Sequence, residues 1–269
     1  MTVLDQIIDG VREDLAVREA ATPMAAIQEI AAAQAPARDA HAALHGGRTD
    51  RAGLRVIAEV KRSSPSKGAL AEIPEPGELA AAYETGGAAV VSVLTEQRRF
   101  RGSLDDLDAV RARIELPVLR KDFTVTEYQI HEARAHGADL VLLIVAALDD
   151  AALRDFLDLT HELGMNALVE AHTHEEIERA VAAESRILGV NVRNLKTLDI
   201  DPARYAELAD GLPEDVVRVA ESGVESAAQV QQYAAAGADA ILVGEALVRH
   251  GAPAEALAQF RAASLTVRG

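Results

Sequence analysis

The stretch "AHGADLVLLIVAAL", residues 135–148, decides how the rest of the chain is read. An Ala-rich segment stops at a Gly, two small or polar residues follow, and a near-continuous apolar run begins. Gly takes the left-handed position after a helix without steric cost. An apolar run without alternation is what a strand needs when both of its faces are covered, as in a parallel sheet. The same grammar recurs in "ETGGAAVVSVLTE" (84–96), "ELGMNALVEAHT" (162–173) and "AAGADAILVGEAL" (235–247). Four further runs fit it: "RVIAEVK" (55–61), "PVLRKD" (117–122), "RILGVNVRN" (186–194) and "VRVAESG" (217–223).

That makes eight candidate strands. Helical patterns near 77–86, 103–115, 126–137, 150–164, 174–184, 202–210 and 226–237 separate them, and another follows near 253–263. Eight alternations predict an α/β fold of the (β/α)₈ TIM-barrel type. A doubly wound open sheet is the competitor, but no G-x-G-x-x-G follows the first strand. Residues 1–50 lie outside the repeat. They predict a helix over 3–20, with Leu4, Ile7, Ile8, Val11 and Leu15 on one face, a second over 24–34, and a polar linker, "HGGRTD". We expect 1–50 to be a helical extension packed on a catalytic barrel of 51–269.

The chain has 269 residues, enough for one large α/β domain or two small ones, and 49% of them are hydrophobic. Aromatic residues make up only 3%, so Ala, Val, Leu and Ile must fill the core. Cys is absent, which excludes disulfides and thiolate metal sites. The formal net charge of −16 disfavours a nucleic-acid partner. The first residues lack a signal-peptide core, and no segment reaches the ~18–20 uninterrupted apolar residues of a membrane span. We expect a cytoplasmic protein without membrane or nucleic-acid partners, and a monomer, with a homodimer as the other possibility.

The carboxyl ends of the strands carry the chemistry. They bring Glu59 and Lys61, Lys121 and Phe123, Glu170, Asn191 and Arg193, Glu221 and Ser222, and Gly244 and Glu245. Residues two apart on a strand share a face. If Val60 and Val192 face the helices, the polar pairs beside them face the barrel axis, at the mouth where barrel enzymes keep their sites. Any one of these charges has a bland reading as an ion pair or a solvated strand end, Arg62 included. Polar groups gathered at the same end of six strands do not. The eight His are scattered. His172 and His174 adjoin the fifth strand, while His41, His45, His136 and His161 read as surface. No metal-ligand spacing occurs. "SLDDLD" (103–108) reads as a helix start and solvated face.

"AESGV" (220–224) and "LVGEAL" (242–247) end the last two strands, each with Gly at the turn. Those two loops and a short extra helix bind phosphate in many barrels. Ser64 and Ser222 offer hydroxyl donors, and "EALVRHG" offers the helix.

The motifs "IAEVKRSSPSKG", "SVLTE" with "RRFRGSLDDL", "LRKDF", "LLIVAAL", "LVEAHT", "GVNVRNLKTL", "VAESGV" and "ILVGEALV" occur in this order along nearly the whole chain. Together they resemble indole-3-glycerol phosphate synthase of tryptophan biosynthesis. The resemblance implies a carboxy-lyase without metal or cofactor. Its substrate would be 1-(2-carboxyphenylamino)-1-deoxyribulose 5-phosphate, which undergoes ring closure, decarboxylation and dehydration. Carried over by position, Glu59, Lys61, Lys121, Glu170, Asn191 and Glu221 match the catalytic set. Ser64, Arg193, Ser222, Gly223, Gly244 and Glu245 match substrate and phosphate positions, with Glu245 acting through its backbone N–H. Pro65, Phe100, Phe123, Leu142, Leu195 and Leu198 match the apolar pocket for the anthranilate ring. His131 stands where a larger aromatic is expected.

The chemistry suits these residue types. Lys121 is the first candidate to protonate the ketone oxygen, Lys61 to assist loss of water, and Glu170 to act as base. Glu59 and Glu221 would stabilise the iminium and orient the lysines, and Asn191 would hold a hydroxyl. Which lysine serves which step is left open. The rivals are other phosphate-binding barrel enzymes of the Trp and His pathways, and a non-catalytic phosphate-binding barrel. A phosphoribosylanthranilate isomerase, which pairs Cys with Asp, fails for want of Cys.

Overall fold

The computed structural model describes residues 2–47, 53–194, 199–249 and 251–265. Eight parallel strands close into a barrel: β1 (Arg55–Val60), β2 (Val90–Leu94), β3 (Val118–Lys121), β4 (Leu140–Ile144), β5 (Asn166–Ala171), β6 (Ile187–Asn191), β7 (Val217–Glu221) and β8 (Ala240–Val243). Each pairs with the next, and β1 closes on β8. Helices α1 (Val3–Ala21), α2 (Met24–Ala32) and α3 (Ala40–Leu44) precede the barrel. Around it lie α4 (Pro76–Thr85), α5 (Leu104–Arg111), α6 (Glu127–Ala135), α7 (Asp150–Glu162), α8 (His174–Ala182), α9 (Arg204–Ala209), α10 (Ala227–Ala235), α11 (Glu245–Val248) and α12 (Pro253–Leu265).

The repeat grammar has its expected cause. Gly87, Gly137, Gly164 and Gly237 follow the caps of α4, α6, α7 and α10 with φ between 75° and 88°. They end the helices and turn the chain into the next strand. Strand alternation then splits the core in two. Val56, Ala58 and Val60 pack outward with Val190 and Val192 against the helices. Ile57, Leu119, Leu142, Leu168, Ile187 and Leu242 fill the barrel interior.

Two regions differ from expectation. Residues 40–44 form α3, whose Ala40 and Leu44 belong to the interior cluster and plug the lower end of the barrel. Asp39 caps this helix, and Asn166, at the start of β5, accepts from the Ala40 and His41 N–H groups. A five-residue helix with two apolar positions is too short to announce itself by periodicity. The "SSPSKG" loop contains a small hairpin, Ser63–Ser64 against Gly68–Ala69. The first helices pack against α6: Tyr128 donates to the Thr22 carbonyl, Gln34 to that of Ala135, and Arg18 pairs with Glu132.

Candidate active site

The strand faces explain why charge gathers at one end. On β1, Ile57 and then Glu59 point inward, and Lys61 follows with the same parity. On β3 the sequence is Leu119 then Lys121, on β5 Leu168 then Glu170, and on β7 Val219 then Glu221. Each strand is apolar where it crosses the packed interior and polar one step higher, where the barrel opens. Glu59, Glu170 and Glu221 are 2–4% exposed. Carboxylates so buried require partners.

Lys121 is the hub. Its Nζ lies 3.3 Å from Glu170 Oε2 and 3.5 Å from Glu221 Oε2. Desolvation alone would lower the ammonium, but Glu170, Glu221 and Glu59 outweigh it and hold the group protonated. Lys61 Nζ sits 2.5 Å from Glu59 Oε1. The two carboxyls beside Lys121 are pushed apart. Burial raises both, yet Lys121 and His172 draw Glu170 well below the usual carboxylate range. Burial and the neighbouring Glu170 charge drive Glu221 upward. Titratable groups pushed in opposite directions within one cleft are a mark of acid–base sites.

One cavity collects the expected residues. Glu59, Lys61, Lys121, Glu170, Asn191 and Glu221 line its floor, and Ser64, Arg193, Ser222, Gly223, Gly244 and Glu245 line one side. Pro65, Phe100, Phe123 and Leu142 line it as well. The two phenylalanine rings stand 6.1 Å apart, tilted by 42°. Leu195 and Leu198 lie outside the described residues. Ser222 has φ of 68°, a left-handed strain for a residue with a side chain. It is held there by two bonds, from Tyr233 Oη to its carbonyl (2.9 Å) and from its Oγ to Asn191 Oδ1 (2.9 Å). Glu245 does not aim a bare carboxylate at the turns. Its Oε1 accepts from Lys67 Nζ at 2.8 Å and from Arg249 Nη2 at 2.9 Å. Lys67 also reaches Glu225, and Arg193 donates to Ser66 Oγ, so the first loop spans the mouth.

A profile of the indole-3-glycerol phosphate synthase family matches residues 4–260. The chain belongs to the indole-3-glycerol phosphate synthase family. It is 79% identical over 268 residues to the indole-3-glycerol phosphate synthase of Micrococcus luteus, covering 100% of both chains. To that of an Arthrobacter species it is 64% identical, covering 98% of this chain and 97% of the relative. Among solved structures, 3-hexulose-6-phosphate synthase from Salmonella typhimurium superposes with a TM-score of 0.64 at 14% identity. It covers 80% of this chain and 100% of its own, and it shares the barrel fold. Synthases of this family are decarboxylating lyases of tryptophan biosynthesis, and the carboxylate–lysine floor lies in a barrel of that family.

Sequence reasoning passed over several residues at this site. His172, set aside as one of the scattered histidines, is 6% exposed, with Nε2 3.3 Å from Glu170 Oε1. It continues the inward parity of Leu168 and Glu170, which was the available signal. Gly189 on β6 was not singled out, yet a Cβ there would lie 2.0 Å from Glu221 Oε1. Val3, Leu4 and Ile7 of α1 reach the cavity, where only their packing on the barrel was expected. Asp106, in the helix start read as a solvated face, instead pairs with Arg62, which also donates to the Ile73 carbonyl at 2.7 Å. That pair fastens the first loop to α5. His131 is buried beside Gln28 of α2, at 3.3 Å.

Proposed function

We propose that this site closes the indole ring of 1-(2-carboxyphenylamino)-1-deoxyribulose 5-phosphate and releases indole-3-glycerol phosphate, CO₂ and water. The observation that carries this reading is Lys121, suspended between two carboxyls on the cavity floor, with an aromatic-lined wall beside it. Phe100, Phe123, Pro65 and Leu142 would sandwich the anthranilate ring. Ser64, Ser222, Arg193 and the Gly223 and Gly244 turns would take the phosphate, with Lys67 and Arg249 neutralising Glu245.

The ring carbon bearing the carboxylate attacks the ribulose ketone. A carbon–carbon bond forms, the carbonyl π pair moves to oxygen, and Lys121 delivers the proton. The nitrogen becomes an iminium, which the Glu59 carboxylate stabilises, while Glu221 orients Lys121. Loss of CO₂ leaves its bonding pair in the ring and neutralises the iminium. Lys61 then protonates the departing hydroxyl, water leaves, and Glu170 removes the adjacent carbon proton to complete the indole. Asn191 holds a substrate hydroxyl. No step uses a metal or cofactor. Residues 51–269 supply this machinery and 1–50 act as an extension packed on the barrel, its first helix reaching the cavity, in a cytoplasmic monomer.

The test is indole fluorescence on adding the substrate to purified protein with EDTA present. Product formation at a rate unchanged by EDTA is expected. Substrate binding without product would overturn the mechanism, and absence of both would overturn the substrate.

A further inference from the structure

The floor poses a question that Lys121 cannot answer. It lies 3.3 Å from Glu170 and 3.5 Å from Glu221, almost midway, so it gives neither carboxyl a distinct role. If both shed their protons, two like charges would be buried side by side, at high cost. One must keep a proton, and an effective base must be the other.

The asymmetry comes from behind Glu170. His172 follows it on the inward face of β5, and its ring is bracketed by two carboxylates. Nδ1 is hydrogen-bonded to Glu176 Oε2 at 3.1 Å in the first turn of α8, and Nε2 lies at ion-pair distance, 3.3 Å, from Glu170 Oε1 without completing a hydrogen bond. Glu176 Oε2 also accepts from the His172 backbone N–H at 2.7 Å, which fixes that carboxylate. Arg204 of α9 donates to the His172 carbonyl at 3.3 Å and leaves the ring free. A neutral imidazole offers one N–H and would present a lone pair to one of these carboxylates. With Nδ1 bonded to Glu176, only the imidazolium sets positive charge, rather than a bare Nε2 lone pair, beside the Glu170 carboxylate. Burial opposes that charge, but Glu170 and Glu176 raise the group to about 9. Glu221 has no such neighbour: its Oε1 is buried against Gly189 without a hydrogen-bond partner.

We propose that His172 is a positioning residue that keeps Glu170 ionised and leaves the shared proton on Glu221, thereby deciding which carboxyl is the base. It acts through Glu170 and Glu176 and does not touch the reacting atoms. The assignment rests on Glu170 being the base of the ring-closing reaction.

Two measurements test it. In ¹⁵N-histidine spectra of the wild-type protein at pH 7.5, His172, assigned by its loss in His172→Gln, should show both ring nitrogens protonated. A neutral tautomer there would overturn the proposal, and Glu176→Gln supplies the assignment if the first variant does not fold. In pH profiles of kcat/KM, His172→Gln should move the acid limb upward by about one unit or more. On the shifted limb kcat should fall about tenfold, with KM changed less than about threefold and rate recovered as pH rises through it. Glu176→Gln should move the same limb part of the way. A uniform loss of rate with the limb in place would mean that His172 only packs. An inactive wild type would sink the ring-closing reading itself, whereas an active wild type with an unmoved limb sinks only this proposal.

Discussion

Arg120 and Lys121 are neighbours on β3, and they point to opposite sides of the barrel wall. Arg120 is 2% exposed, and its donors are matched: Nε to Thr95 Oγ1 at 3.2 Å, Nη1 to the Gln129 carbonyl at 3.0 Å, and Nη2 to Asp122 at 3.3 Å and Glu132 at 2.8 Å. Glu132 is matched in turn by Arg18 of α1 at 2.7 Å. Lys121 is 14% exposed, its contacts are 3.3 and 3.5 Å, and three carboxyls compete for it. A buried charge whose every donor is matched ties α1, α6 and β3 together. One with long contacts and a surplus of partners is poised to exchange a proton.

The pair can be separated by substitution. Lys121→Met should lower kcat by about 10²–10⁴-fold, the range for losing a general acid. Stability should fall less than for Arg120→Met, because Glu221 already tends to hold a proton and His172 remains beside Glu170. Arg120→Met should do the reverse. Removing one partner from a buried ionic network strands Glu132 and Asp122 and should cost about 3–5 kcal/mol. The folded fraction should turn over normally. Urea unfolding and steady-state rates on the same two preparations decide it. If Arg120→Met lost turnover while remaining folded, the division between the two sides of the strand would fail.

A smaller effect tests whether distance alone governs the inner side. Gly189→Ala adds a methyl 2.0 Å from Glu221 Oε1, and the β6 backbone cannot yield as a flexible side chain would. Glu221 must move by about an ångström, a displacement that can cost about 10²-fold in rate. The same substitution leaves the outer network untouched, so the fall should appear in kcat without a matching change in the unfolding midpoint.

How much of this was legible in the chain depends on what each residue needs to know. The strand count, the Gly-terminated helices and the inward parity of Glu59, Lys121, Glu170, Asn191 and Glu221 are local patterns, and they place the floor of the cavity. His172 was within reach by extending that parity one step past Glu170, but it lies beyond the end of β5, where a strand rule no longer applies by default. Gly189 was not within reach. Its meaning comes from Glu221 on the adjacent strand, a relation created by register. The Arg62–Asp106 pair and the approach of α1 to the mouth are tertiary facts of the same kind. Arg120 was passed over inside "PVLRKD", although an Arg in a strand covered on both faces has to be paired.

The smallest expected effect lies outside the barrel and completes the scale. Arg98 also joins α1 to the body of the protein, with Nε and Nη2 on Asp14 at 3.0 and 2.7 Å and Nη1 on Glu13 at 2.7 Å. Its bonds are as short as those of Arg120, yet its side chain is 44% exposed and Glu13 is 69% exposed. Water and salt screen such a pair, and ordering the long side chains offsets most of the attraction. Arg98→Ala should therefore shift the melting temperature by only about 1 °C at low salt, and by nothing measurable near 0.5 M salt. Arg18→Ala, which removes a partner of the buried Glu132, should lower it by several degrees at either salt concentration. If the two substitutions cost the same, bond length rather than burial would set the strength of the α1 attachment. The contrast between Arg120 and Lys121 would then need another cause.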